Sequence, residues 1–264
     1  MEIKRADWHC HTHRSNLMCR DSTNFETDLI DRAIEIGLTG IGITDHGNLS
    51  AHITCIKHMK KLKEKANELL DLRKHDLTVE ALEFHDRVDN FKLGLGTEIY
   101  LVHRDRINHA RENNESTRFN HLVVIAKNEN GYQGLRELSS NAWENSFYFR
   151  GMERVPTYWD YFEQWARKYR GDIIITTACL GSEFSQLCLK FIQEQNEENR
   201  NAITNFVLKM KELFADDFYI EIQPSHFEEQ IAYNHLAIQV AEAFGVKVLI
   251  DTDAHYLTKE MKEI

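Results

Sequence analysis

Short β-branched apolar runs alternate along this chain with longer stretches in which apolar residues recur every three or four positions. The short runs predict strands at residues 7–12, 40–44, 93–102, 122–126, 172–177, 218–223 and 247–251. The periodic stretches predict helices at 25–36, 52–71, 132–145, 158–169, 183–195, 202–214 and 227–244. In the first of these, Leu29, Ile30, Ala33 and Ile36 share a face, Glu26 and Asp28 suit the N-terminal end of the dipole, and Gly37 stops the helix. Pro156 and Pro224 fall at element boundaries, where a missing amide proton costs least. Regular alternation of strand and helix predicts an α/β fold with a largely parallel sheet. Seven strands with no Gly-rich nucleotide loop after the first favour a closed barrel over an open Rossmann sheet. Residues 57–90, charged and with leucine spacing, predict an exposed helical excursion whose surface is simply solvated. No repeat or low-complexity linker divides the chain, so residues 1–264 are expected to form a single domain.

Composition narrows the picture. With 264 residues, 42% of them apolar, the chain can bury one core without disulfides. No apolar run approaches the ~20 residues that cross a bilayer. The opening MEIKRADWHC has basic residues but no apolar stretch behind them, so a secretory signal is not expected and a cytoplasmic setting is. Five scattered cysteines with no CxxC pair argue against a disulfide framework or zinc ribbon. A net charge of −10 disfavours strong nonspecific binding to a polyphosphate, so a nucleic-acid substrate would have to be gripped by something else. Fourteen histidines are the one compositional excess, and histidine is the commonest ligand of transition metals.

The chemistry gathers at strand ends. In an extended segment His9, His11 and His13 point one way while Cys10 and Thr12 point the other, an arrangement that suits a cation. His46 follows the second apolar run, where it is either an active-site residue of a barrel rim or a turn histidine. Glu98 lies inside an apolar segment and needs a metal or a salt bridge. Asp253 and His255 are two apart beyond the last strand, and Asp251 shares their parity as a carboxylate that braces the strand or orients a ligand. Asp21 would by default be a turn residue, His121 a surface histidine and Cys179 a small core residue; their common placement near strand ends raises all three. His121 opens its run, whereas the other candidates close theirs.

Five histidines, three carboxylates and a thiol exceed one tetrahedral ion. They suit two or three divalent ions with Glu98 as a bridge, and the mixed donors favour Zn²⁺, Mn²⁺ or Fe²⁺ over Mg²⁺. Clustered ions of this kind hydrolyse phosphoesters.

These residues resemble the PHP family, named for its polymerase and histidinol phosphatase members. The resemblance is carried by His9-Cys10-His11, by Thr44-Asp45-His46-Gly47-Asn48-Leu49, by His121 with its following strand, and by Asp253-Ala254-His255. It implies a distorted seven-stranded (β/α)7 barrel holding up to three metal ions. Within the family, segments 127–135, 178–182 and 252–257 are similar to the N-terminal PHP domain of bacterial DNA polymerase III alpha subunits. Carried over by position, the resemblance implies His9, His11, Glu98 and Asp253 around one ion, Glu98, His121 and Cys179 around a second, and Asp21, His46 and His255 around a third. The 15–21 loop and the stretch between Asn48 and Glu98 are longer than the usual pattern.

The resemblance implies a metal-dependent phosphoesterase, a 3′ to 5′ exonuclease whose metal-bridging hydroxide attacks a terminal phosphodiester, with His9, His11, Glu98 and Asp253 acting through the ions. The partners it implies are DNA 3′ ends, held mainly by other parts of a polymerase, and other replisome proteins. The chain ends nine residues after His255 without the acidic motifs of a polymerase palm, so it is expected not to polymerise nucleotides and to be an excised domain or a free-standing relative. Two other readings stand beside this one: a free phosphatase of a small phosphomonoester such as histidinol phosphate, and a noncatalytic, metal-stabilised module that braces a polymerase.

Overall fold

In the computed structural model, which describes residues 5–72 and 78–263, the predicted alternation closes into a cylinder of strands. Its strands are β1 (Ala6–Cys10), β2 (Gly40–Ile43), β3 (Lys92–Val102) and β4 (Asn120–Ala126), followed by a small hairpin of β5 (Phe147–Phe149) and β6 (Met152–Arg154). Then come β7 (Pro156–Tyr158), β8 (Ile173–Thr176), β9 (Phe218–Ile222) and β10 (Lys247–Ile250). The helices are α1 (Glu26–Glu35), α2 (His52–Leu72), α3 (Val79–Asn90), α4 (Arg104–Asn113) and α5 (Glu129–Glu144). They continue with α6 (Trp159–Lys168), α7 (Glu183–Gln193), α8 (Glu197–Phe214) and α9 (Glu228–Phe244). Side-chain caps set several starts: Asn128, Ser182 and Asn196 each accept the backbone N–H three residues on.

The barrel path runs β1-β2-β3-β4-β8-β9-β10, with β7 added beside the end of β3. This is a nearly closed seven-stranded α/β barrel. β1, β2 and β3 pair in parallel, as do β8, β9 and β10. The expectation of a largely parallel sheet fails at one strand: β4 is antiparallel to both β3 and β8. The reversal has a cause in the connections. β3 is 11 residues long and reaches the rim, where α4, which the hydrophobic pattern did not predict, turns the chain back beside it. β4 then descends, so two helices rather than one, α5 and α6, separate it from ascending β8.

The first and last strands do not form a continuous ladder. Between them run His11 N–H to Ala254 O (2.9 Å) and Ala254 N–H to His9 O (3.1 Å). Two buried carboxylates complete the seam: Asp251 Oδ1 accepts from Trp8 N (2.7 Å) and Asp7 Oδ1 from Thr252 N (3.1 Å).

The two largest apolar cores flank the sheet. The larger packs β3, β4, β8 and β9 against α5–α9 and holds Leu135, Phe162, Phe184, Phe214 and Tyr233, all fully buried. The smaller packs β1 and β2 against α1–α3. There the 57–90 excursion is helical as expected but more than a solvated surface, because Met59, Ala66 and Val88 are buried in that core; its residues 73–77 lie outside the described ones. Gly42 lets β1 and β2 approach, since a Cβ there would run into the Trp8 carbonyl. Among the described residues no helix is long and apolar enough to cross a membrane.

Candidate metal centre

One rim of the barrel collects all nine of the expected ligands. Five come from residues on or just beyond the carboxyl ends of parallel strands: His9 near the end of β1 and His11 just after it, His46 after β2, and Asp253 and His255 after β10. His121 comes from the amino end of β4, which the reversal of that strand delivers to the same rim. Glu98 lies within β3, opposite Val123 of β4. Cys179 follows β8, and Asp21 hangs over the rim from the loop before α1.

Their polar atoms form an unbroken circuit. Glu98 Oε1 lies 3.5 Å from His9 Nε2 and 2.9 Å from His121 Nδ1, and Oε2 lies 2.5 Å from His46 Nδ1. His121 Nδ1 is 3.4 Å from Cys179 Sγ. His46 Nε2 is 3.3 Å from Asp21 Oδ2, which is 3.7 Å from His255 Nε2. Asp253 Oδ1 closes the loop at 3.3 Å from His9 Nε2, 3.1 Å from His11 Nε2 and 3.5 Å from His255 Nδ1. Three subsets each bring three donor atoms within 4.8 Å of one another: His9, His11 and Asp253; Glu98, His121 and Cys179; His11, His46 and His255.

The tautomers suit a cation. His9 Nδ1 meets Glu221 Oε1 at 2.8 Å, and His11 Nδ1 meets Ser15 Oγ at 3.0 Å. Ser15 donates its own proton to Asp45 Oδ1 (2.8 Å), so its lone pair must receive the proton on His11 Nδ1. With each Nδ1 directed to an oxygen acceptor, the two Nε2 atoms face each other at 3.1 Å, a contact that needs a proton or a metal ion between or beside them. Glu98 Oε1 and Asp253 Oδ1 are buried and aimed into the same space without a hydrogen bond of good geometry. The donor set therefore fits divalent ions.

The acid–base balance points the same way. Burial opposes the charged form of His9, but the Asp253 and Glu221 carboxylates outweigh it and hold the pKa well above the usual value. Burial also disfavours a charged His46, yet Glu98 and Asp21 lift it to about 10. Burial raises Glu98, but His121 and His46 overcome this and leave it well below the carboxylate range. Burial likewise raises Asp253, and His9 and His11 reverse the effect. His11, pressed by burial and by His46, falls to about 4. Burial, with Glu98 and Asp253, pushes the Cys179 thiol up. The pocket is rich in negative charge that demands positive charge, supplied by imidazolium when no ion is bound.

The backbone is strained at two places in this rim. Asp253 has φ 52° and Ala178, beside Cys179, φ 53°, left-handed conformations that cost about 1–3 kcal/mol in a residue with a side chain. Gly181 presses against His121 so closely that a Cβ would sit 2.7 Å from its Nδ1.

Two expectations about histidines and carboxylates divide here. His13 does not join His9 and His11: the strand ends at Cys10, a 3₁₀ turn (His13–Leu17) follows, and the ring turns toward Glu26 (3.4 Å) and Phe25. Asp251 is the bracing carboxylate its parity allowed. Sequence reasoning missed Glu221, Ser15 and Asp45, which position ligands without belonging to the circuit. Glu221, fully buried, also accepts from Thr176 Oγ1 (2.5 Å) and Gln223 Nε2 (3.0 Å). Its signal was present, a lone charge in the apolar run Phe218–Ile222. Ser15 carries no such signal. A cleft of about 270 Å³ opens beside the circuit, lined by Asp21, His46, Tyr100, Phe119, His121 and Arg154 among others.

Comparison with known proteins agrees with this geometry. The chain is 38% identical to the DNA-directed DNA polymerase of Bacillus phage SPbeta over 97% of its length, covering 19% of that protein. It is 27% identical to the DNA polymerase III subunit alpha of Aquifex aeolicus over 96% of its length, covering 18% of that subunit. It thus spans about a fifth of the curated relatives it matches. A crystal structure from Bifidobacterium adolescentis, of a protein proposed to be a metal-dependent phosphoesterase, covers 96% of this chain and 88% of its own at 12% identity and a TM-score of 0.50, a likeness of fold. The profile of the PHP domain matches residues 7–225. With a matching profile over most of its length and a seven-stranded barrel that gathers the motif residues at one rim, the chain belongs to the PHP domain family.

Proposed function

We propose that this chain is a metal-dependent phosphoesterase, a PHP domain of a DNA polymerase III alpha-like protein that removes nucleotides from DNA 3′ ends. The observation that carries the reading is the donor circuit: eight of the nine residues fall into three close groups, and Asp21 joins them through His46 and His255, beside an open cleft. His9, His11, Glu98 and Asp253 would hold one ion, Glu98, His121 and Cys179 a second, and Asp21, His46 and His255 a third. Two or three divalent ions, Zn²⁺, Mn²⁺ or Fe²⁺ by donor type, would supply Lewis acidity that activates water near neutral pH and offsets negative charge on the phosphoryl and leaving-group oxygens.

The protein's own groups do the rest. Glu221 and Ser15 fix the His9 and His11 tautomers so that both Nε2 atoms are free to bind. Asp45, bound by Thr12 N (2.6 Å), Thr12 Oγ1 (2.9 Å) and Ser15, locks the first and second strand ends together. The chain as a single PHP domain, its grip on DNA through other parts of a longer polymerase and a cytoplasmic location belong to the same proposal. The net charge of −10 supports the second of these, because such a chain would hold a polyanion poorly alone.

The purified chain with Mn²⁺ or Zn²⁺ would be given 3′-recessed DNA and, in parallel, histidinol phosphate. Release of mononucleotides is expected. Inorganic phosphate from histidinol phosphate alone would show a free phosphatase, and no product a bracing module. His11→Ala and Asp253→Ala should abolish the activity; unchanged turnover would reveal a contaminating nuclease.

A further inference from the structure

The cleft beside the donor circuit contains a cation with no carboxylate partner among the described residues. Arg154, the last residue of β6, lines it together with Tyr100, Phe119, Met152 and His121. The guanidinium lies 5.4 Å from the centre of the Phe119 ring. Among the described residues it has no carboxylate partner and no hydrogen bond, and its Nε is buried without an acceptor. The side chain as a whole is half-buried, but a buried donor such as this Nε costs about 1–3 kcal/mol when left without a partner. Glu153, its neighbour in the same cleft, does not neutralise it, and Asp21 is directed to His46 and His255. Among the described residues no hydrogen bond to the Tyr100 hydroxyl is formed; burial and Glu98 keep it protonated, and the ring stands edge-on to His121 at 5.1 Å.

We infer that Arg154 is the positioning residue that binds the phosphate of the terminal nucleotide, with Phe119 and Met152 forming an apolar wall for its sugar or base. The inference rests on the phosphoesterase reading and adds a substrate subsite to it. A planar fork of N–H donors matches a phosphate and is the side chain best suited to it. The cleft, about 270 Å³ and open to solvent, is of a size to receive one nucleotide unit at a chain end. Its position also explains the β5–β6 hairpin, which contributes little to either core but carries Met152 and Arg154 to the cleft.

The test measures binding rather than turnover. Calorimetric titration of thymidine 5′-monophosphate, inorganic phosphate and thymidine into the chain would compare the native protein, Arg154→Met and Arg154→Lys, each with Mn²⁺ and again after chelation. Arg154→Met should weaken the monophosphate by about tenfold or more, the loss of charge-assisted hydrogen bonds. It should leave thymidine unchanged, and Arg154→Lys should recover part of the loss. The difference should persist in chelated protein, which separates this subsite from the metal-dependent reading. Equal monophosphate affinity in native protein and Arg154→Met, or no monophosphate binding by native protein, would overturn the inference even if DNA ends are hydrolysed. Bound-metal content equal to native would show that Arg154→Met is folded. If that variant does not fold, Arg154→Gln takes its place: a fall in monophosphate affinity with thymidine unchanged supports the inference, and an unchanged monophosphate affinity overturns it.

Discussion

Asp7 and Asp251 face each other across the one discontinuous seam of the barrel, and each carboxylate accepts a backbone N–H from the opposite side, Thr252 N and Trp8 N respectively. They are not equivalent. Asp7 also accepts from Thr252 Oγ1, whereas Asp251 Oδ2 is buried with no partner. Burial, joined by Glu221 and Asp7, pushes Asp251 up to about 8, so near neutrality it is the protonated member. Asp251→Asn should accordingly change stability by less than about 1 kcal/mol, while Asp7→Ala should cost about 1–3 kcal/mol by stranding two donors. Urea titrations of both variants check this, and equal losses would refute the asymmetry.

Glu221 belongs to none of the close donor groups, yet its carboxylate meets His9 Nδ1 at 2.8 Å and sets the tautomer of that ring. Glu221→Gln keeps the shape and can present an amide N–H where His9 needs an acceptor. Metal affinity should fall roughly 10- to 100-fold, as is usual when a ligand histidine loses its orienting carboxylate. Competition against a chromogenic chelator would report it, and an unchanged affinity would remove Glu221 from the site.

Cys179 gives the site a spectroscopic handle. A thiolate bound to Co²⁺ produces a near-ultraviolet charge-transfer band, which should be present in Co²⁺-loaded protein and absent in Cys179→Ser. Gly181→Ala should weaken the same band, since the new Cβ would displace His121 from its place beside Cys179 and Glu98. A band that survives Cys179→Ser would mean that the thiol is not a ligand.

Much of this was legible in the sequence, and the failures have specific causes. The seven barrel strands follow from the short apolar runs, but such a run has no arrowhead, so the reversal of β4 was invisible. The position of His121 at the start of its run was the trace it left. α4 escaped because only Ile107 and Ala110 of its ten residues are buried, too few for a periodic stripe. The β5–β6 hairpin and β7 are three residues each, too short for alternation to show. His13 was misplaced by extending a two-residue period beyond Cys10, where the strand stops. His9, His11, His46, Glu98, Asp253 and His255 stood out as candidate donors because charge and imidazole at the ends of apolar strands need a reason, while Asp21, His121 and Cys179 came mainly from the family resemblance; Ser15 was not legible, because a serine in a loop needs none.

A fourth expectation concerns pH. His52 begins α2, buried, with Nε2 2.9 Å from the Gly96 carbonyl. Burial pushes its pKa down to about 4 against the hydrogen bonds that favour a charged ring. Below about 6.5 the unfolded chain takes up a proton that the folded state refuses. Stability is therefore intact above that pH and declines as pH falls toward about 4, by roughly 3 kcal/mol at most. In chelated protein His52→Gln should flatten this part of the profile, and parallel profiles for the two proteins would show that His52 is not responsible.

The weak seam has a wider implication. His9 and His11 belong to the first strand and Asp253 to the segment after the last, so any cation they share would act as a clasp between the two ends of the cylinder. Stripping the ions would then do more than silence chemistry: it would unfasten the staves where they are least well joined, and resistance to heat and proteases should rise and fall with occupancy.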